Sequence, residues 1–150
     1  MKTSLRLTTL LVVLIGLLVL GGARKARAAK GCSDASLRGS YGLHATGSVL
    51  GVGPFAAVGV FSFDGAGHLT GTLTSRVNGN TFSREILTGA YSVTSDCFVS
   101  DTWSFASGET SQHESVLVDN GRGYFIVNTT AGAPNVISGA AQRQSVQGEE

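Results

Sequence analysis

The sequence predicts an all-β domain, an eight-stranded antiparallel up-and-down barrel preceded by an N-terminal signal helix. Three observations predict it. From Lys30 onward few stretches place apolar residues at the i, i+3, i+4, i+7 spacing of a helix. Gly, Ser, Thr and Val are abundant, Pro is confined to Pro54 and Pro134, and turn signals recur about every 10 to 15 residues. The strands these turns define number eight, and an even set of sequential hairpins can close on itself, which pairs both edges that an open sheet would leave bare. An immunoglobulin-like sandwich is the competing architecture, but its hairpins alternate with longer crossovers that are not evident here.

The amino terminus stands apart from the domain. "MKTSLR" is basic, the 17 residues from Leu7 to Ala23 carry no charge, and "RKARAAK" contains Ala26-Arg27-Ala28. A basic start, an apolar run and an A-x-A site make a secretory signal peptide over residues 1–28, with cleavage expected after Ala28. An uncleaved anchor is the alternative, since 17 residues approach the length of a spanning helix. The expected location is secreted or periplasmic. Five of the eleven Lys and Arg residues (Lys2, Arg6, Arg24, Lys25, Arg27) and none of the ten Asp and Glu fall in the leader, which leaves six bases against ten acids, a net charge of −4. That balance lacks the basic footprint of a nucleic-acid binder. Cys32 and Cys97 are the two cysteines. In an exported domain such a pair reads as a disulfide, and two isolated cysteines without neighbouring His or Cys make a poor zinc site. No metal or other cofactor is expected.

A short segment, 29–36, leads into the barrel domain at 37–143, and a polar tail, 144–150, ends the chain. The first strand runs from Leu37 to Gly47, with Tyr41, Leu43 and Ala45 alternating against Gly42, His44 and Thr46. "GVGP" breaks it. Phe55 to Asp64 is the second strand, with Phe55, Ala57, Gly59, Phe61 and Phe63 on one face. "DGAGH" then turns the chain into Leu69–Val77. This glycine-rich knot lacks the order of a dinucleotide fingerprint and the Lys-Ser/Thr of a P-loop, and no helix follows it. It reads as a hairpin tip with His68 as an exposed turn residue. Asn78-Gly79 is the strongest hairpin signal, because both residues tolerate positive φ. Thr81–Val93, Cys97–Phe105, Ser111–Val118, Tyr124–Thr130 and Val136–Arg143 follow, separated by "TSD", "SGE", "DNGRG" and "AGAPN". Glycines inside strands (Gly42, Gly59, Gly71, Gly89, Gly139) suit the sharp bends of a small barrel.

The motifs "SLRGSYGLHATG", "AAVGVFSFDGAGHLTGT", "LTGAYSVTSDC", "VLVDNGRGYFIV" and "VISGAAQRQ" span about residues 32 to 144. In them the chain resembles a group of uncharacterised exported bacterial proteins with an allene-oxide-cyclase-like barrel, within the wider calycin (lipocalin-like) and dirigent-like barrels. The resemblance implies a barrel with an apolar cavity. It implies ligands such as the unsaturated fatty-acid epoxide that the plant cyclases close into a ring, or the phenolic radicals that dirigent proteins steer. No catalytic position carries across, because no motif here aligns with the polar cluster of the plant cyclases.

The candidate chemistry lies in a few residues. His44 and His113 sit mid-strand, where every second side chain points inward, and a His beside a carboxylate can act as a general acid or base. Asp101 shares a face with Val99, Trp103 and Phe105, so it is either buried with a partner or solvated at a rim. Asp101, His44 and His113 are thus the catalytic candidates. Arg84 and Glu85 point to opposite faces of a regular strand, and Arg84 is a candidate clamp for a ligand carboxylate or else a solvated side chain. Tyr41, Phe61, Phe63, Trp103 and Phe105 form either a ligand cup or a packed core. Asn128-Thr129-Thr130 matches a glycosylation sequon without evident meaning in a strand. No G-x-S-x-G or H-E-x-x-H is present. The sequence therefore predicts an exported barrel that binds a small hydrophobic or amphipathic molecule. Two alternatives stand beside it: a cyclase or isomerase of a lipid-like substrate, and a structural module with a filled barrel. Binding is favoured over catalysis, and the sequence does not specify an oligomeric state.

Overall fold

The computed structural model describes residues 31–145. The expected signal helix and the expected cleavage point after Ala28, and the residues from 146 onward, lie outside the described residues. The described chain forms β1 (Arg38–Val49), β2 (Gly53–Asp64), β3 (His68–Val77), β4 (Asn80–Val93), β5 (Phe98–Phe105), β6 (Thr110–Val118), β7 (Gly123–Asn128) and β8 (Asn135–Arg143). Each strand pairs antiparallel with its neighbour in sequence, and β8 pairs with β1, so the sheet closes. The up-and-down barrel expected from the hairpin spacing is the observed architecture.

Alternation does the sorting. In β1, Tyr41, Leu43 and Ala45 are buried while His44 and Thr46 are exposed. Register then brings inward residues together across strands, as in Tyr41 opposite Phe61 and Leu43 opposite Ala141. The turns obey local chemistry. Asn78 and Gly79 both have positive φ (45° and 88°), as a two-residue hairpin needs. In the Asp64 turn the carboxylate accepts from the N–H groups of Ala66 (2.7 Å) and His68 (3.0 Å), and these bonds hold its pKa below the ordinary value. "DGAGH" is thus a hairpin tip, with His68 exposed. The β1–β8 seam depends on Gly139, where a Cβ would run into the His44 carbonyl. At Gly71 a Cβ would stand 2.8 Å from the Phe61 ring, so the missing side chain is what lets that ring lie across the barrel.

The two ends of the barrel differ. At one end the segment before β1 folds over the opening. Leu37 is only 1% exposed, and a short 3-10 turn at Asp34–Ser36 precedes it. Asp34 Oδ1 accepts from Val93 N (2.7 Å), Tyr91 Oη donates to the Leu37 carbonyl (2.9 Å), and Cys32 is disulfide-bonded to Cys97. Tyr41 Oη donates to the Gly121 carbonyl at the same end. Beneath this plug Tyr41, Phe63, Tyr91 and Tyr124 pack with ring centroids 5.2–5.9 Å apart, mostly edge to face. This is the filled half of the barrel. β8 ends at Arg143, and Gln144 N just beyond it still donates to the Ser40 carbonyl (2.8 Å).

Candidate functional site

The other half is hollow. A cavity of about 720 Å³ opens at the end where β1 meets β2, β3 meets β4, β5 meets β6 and β7 meets β8. It exists because the inward positions there hold small side chains, among them Ala45, Ala57, Ser75 and Ser111. Phe55, Val77, Phe82, Phe105 and Ile137 make the upper wall, and Leu43, Leu73, Trp103, His113 and Ile126 are the deepest lining positions on their strands. Trp103 sits on Phe61 (centroids 4.6 Å apart), so the floor of the cavity is the top of the aromatic core.

A polar row crosses that floor. Asp101 on β5 lies directly opposite His113 on β6, and His113 lies opposite Asn128 on β7. All three side chains point inward, so the register alone makes them neighbours. His113 Nδ1 is 2.8 Å from Asp101 Oδ1, and His113 Nε2 is 3.3 Å from Asn128 Nδ2. Thr130 N donates to Asn128 Oδ1 (3.1 Å), which turns the amide so that Nδ2 faces the imidazole. An amide nitrogen can only donate. Nε2 is therefore the acceptor and Nδ1 carries the proton that bonds to Asp101. The Trp103 indole covers the imidazole at 3.9 Å between centroids.

Burial raises the pKa of Asp101, the hydrogen bond and charge of His113 pull the other way, and Glu114 adds to the rise. The Trp103 N–H lies near enough to favour the carboxylate but outside hydrogen-bonding geometry, and it is one of three buried polar atoms without a partner among the described residues. The others are Ser115 Oγ and Tyr124 Oη. Burial, then Asp101 and Tyr41, raise the pKa of Tyr124. Chemically the row can present an imidazole and a carboxamide to whatever occupies the cavity, with the Asp101 carboxyl group held behind them.

The structure sorts the residues singled out in sequence. Asp101 and His113 come together, and of these two only His113 lines the cavity. His44 does not join them: the β1 alternation that buries Leu43 and Ala45 turns it to solvent. Of the proposed aromatic cup, Trp103 and Phe105 line the cavity. Tyr41, Phe61 and Phe63 belong instead to the filled half, and Phe61 is fully buried. Arg84 is exposed and cannot clamp a ligand from inside. It has φ of 52° in a β-bulge where Leu73 pairs with Glu85 but Ser75 pairs with Phe82. The bulge shifts the strand's phase, so Phe82 and Glu85 both face the cavity and Arg84 is left outside. Asn128, Glu85, Glu109 and Phe82 are cavity residues that sequence reasoning passed over. Hairpin symmetry about Ser107 would have aligned Asp101 with His113. Nothing local marks the bulge beyond a β-strand that must change phase.

No protein-family model and no curated protein matches the chain. Several solved structures are similar in fold. A redesigned β-barrel covers 78% of this chain and all of its own length, at a TM-score of 0.56 and 16% identity. A second redesigned barrel, mFAP1, solved bound to DFHBI, covers 73% of this chain and 97% of its own at TM-score 0.55 and 14% identity. A third, EF1p2_mFAP2b, also bound to DFHBI, covers 73% and 94% at TM-score 0.52 and 13% identity. At these identities the likeness is one of fold.

Proposed function

We propose that the barrel binds a small hydrophobic or amphipathic molecule in its hollow half. The observation that carries this reading is the cavity of about 720 Å³, within the size range of small-molecule sites, with apolar walls and a few convergent polar groups at its floor. The exposed side chains of Leu50, Val52 and Phe82 make the rim apolar as well. Two barrels of similar fold are solved with DFHBI bound, so a barrel of this kind can hold a small molecule. The unfilled half weighs against a purely structural module.

The chain's single tryptophan, Trp103, is on the cavity floor and reports occupancy by its fluorescence. A panel of phenyl-bearing amphiphiles titrated into the protein is expected to quench or shift that emission saturably. Ala57→Phe, which fills the cavity from β2, is expected to abolish the response while leaving the β-sheet circular dichroism intact. A panel without saturable response, or an Ala57→Phe variant that responds as the parent does, would overturn the reading.

A cyclase or isomerase is the second reading, favoured by the Asp101–His113–Asn128 row at the cavity floor. An imidazole whose tautomer is fixed by a carboxylate is a competent proton carrier. It also fits the resemblance to allene-oxide-cyclase-like barrels. Binding is preferred because Nε2, the atom that would take a substrate proton, is already engaged by Asn128.

A further inference from the structure

The lining of the cavity is uneven in charge. Glu85 and Glu109 both line it, and no Lys or Arg does. Neither carboxylate has an ion pair or a side-chain hydrogen bond among the described residues, where the salt bridges are His113–Asp101 and Arg122–Asp119. The two glutamates stand on the same side of the mouth. Ala106 N, in the turn that leads to Glu109, donates to the carbonyl of Ile86, the residue after Glu85 (3.1 Å). The arginines are elsewhere. Arg38 and Arg143 lie at the plugged end, on the rows of Asp64 and Tyr41, and Arg122 follows the β6–β7 turn at that end. Arg76 and Arg84 are exposed and outside the lining. Around the carboxylates are Phe82, Phe105 and Trp103, whose ring faces attract cations. Apart from the His113 imidazole at the floor, the rest of the polar lining is hydroxyl and amide, with Asn135 on the inward face of β8.

Resting on the binding reading above, we infer that the cavity takes amphiphiles whose head is a protonated amine and rejects those whose head is a carboxylate. The apolar body of such a ligand fills the space left by Ala45, Ala57 and Ser75, and its ammonium stays at the level of Glu85 and Glu109. A carboxylate head would meet two like charges and no cation there. Glu85 shares the inward phase of the buried Leu87 and Tyr91, which turns the neighbouring positive charge of Arg84 outward, and the bulge at Arg84 then brings Phe82 inward as well. Fatty-acid carboxylates are therefore disfavoured ligands for this barrel.

The test uses three probes that share one body and differ in head: phenylbutylamine, phenylbutanol and phenylbutyrate. Each is titrated against the protein at neutral pH while Trp103 fluorescence is followed, at low and at high salt. The amine is expected to bind about tenfold or more tighter than the butyrate, from two carboxylates within several ångströms of the head in a partly solvated mouth. High salt is expected to narrow that gap. Glu85→Gln together with Glu109→Gln is expected to bring the two affinities to within about threefold, with the β-sheet circular dichroism of the parent retained. A butyrate that binds as well as the amine, or a double variant that keeps the full preference, overturns the inference and leaves the binding reading standing. If all three probes fail to bind, the binding reading falls and this inference falls with it.

Discussion

Removing the Cys32–Cys97 disulfide is expected to cost about 4 kcal/mol and to leave the cavity untouched. The bond joins residues 65 apart in sequence. Opening a loop of that length returns about 4 kcal/mol of chain entropy to the unfolded state in the loop-closure model. The native state loses little besides, because the plug is held independently. Asp34 still accepts from Val93 N, Tyr91 still donates to the Leu37 carbonyl, and Cys32 N still donates to the Ser95 carbonyl (3.1 Å). For a domain of this size each kcal/mol moves the midpoint by about 4 °C, so the Cys32→Ser, Cys97→Ser double variant is expected to melt about 15 °C below the parent. Differential scanning calorimetry of the parent, the double variant and the parent under reductant reads this directly. The two reduced forms should coincide, and amphiphile titrations well below the new midpoint should match the parent, because the bond is at the plugged end. A drop under about 5 °C would mean that the disulfide does not constrain the unfolded chain as argued. A drop accompanied by loss of binding would mean that the two halves of the barrel are not independent.

Two further outcomes follow from individual side chains. Arg84 holds a left-handed φ of 52° without an ion pair among the described residues. Arg84→Gly should therefore be neutral or stabilise by up to about 1 kcal/mol, and Arg84→Val should destabilise by about 1–2 kcal/mol, in urea unfolding. Binding of a carboxylate probe should not change in either, and a large loss of affinity on Arg84→Gly would restore a clamping role. Asp101 has its pKa raised chiefly by burial. The folded state then holds the proton more tightly than the unfolded state, so the stability it contributes is fully present below the ordinary carboxylate range of about 4 and is lost as pH rises through the folded value. Asp101→Asn, which keeps the shape and an acceptor for His113, should flatten that part of the profile and gain on the parent as pH rises from about 4 toward neutral. Parallel urea midpoints for parent and variant across that range would refute the assignment.

The closure of the barrel was legible because two signals agreed: period-two alternation in each strand and turn residues between them. Asn78-Gly79 and the Asp64 turn fixed two hairpins by local chemistry alone. What escaped was everything set by register across strands. Asp101 and His113 were each suspected, but their contact depends on how β5 is paired with β6. Asn128 looked like part of an idle sequon because its role comes from lying opposite His113 on another strand. Arg84 stands in the sequence between a clamp and a solvated side chain, and Glu85 without a role, because the phase of β4 was not read from Leu87 and Tyr91, whose burial sets which neighbour points inward. The aromatic residues were taken as one group, whereas their positions along the barrel axis separate Tyr41, Phe61 and Phe63 from Trp103 and Phe105.

That separation explains how so small a domain can leave part of its interior empty. An eight-stranded barrel is just wide enough either to be filled or to hold one ligand, and the backbone does not choose between them. Side-chain size chooses, level by level. Toward the plug the inward positions carry Tyr41, Phe61, Phe63, Leu69, Leu87, Tyr91 and Tyr124, and these bury one another completely enough to supply a core. Toward the mouth the same strands present Ala45, Ala57, Ser75 and Ser111, which cannot meet across the barrel. Glycine at 71 lets the Phe61 ring lie flat as a partition between the two levels, and Trp103 and His113 rest above it. A polar row at that boundary would be costly in the middle of a core, but here one side of it faces an opening. The Asp101–His113–Asn128 row sits at this boundary, where Asp101 is buried behind and His113 and Asn128 line the cavity. This is the arrangement that a binding site requires of its floor.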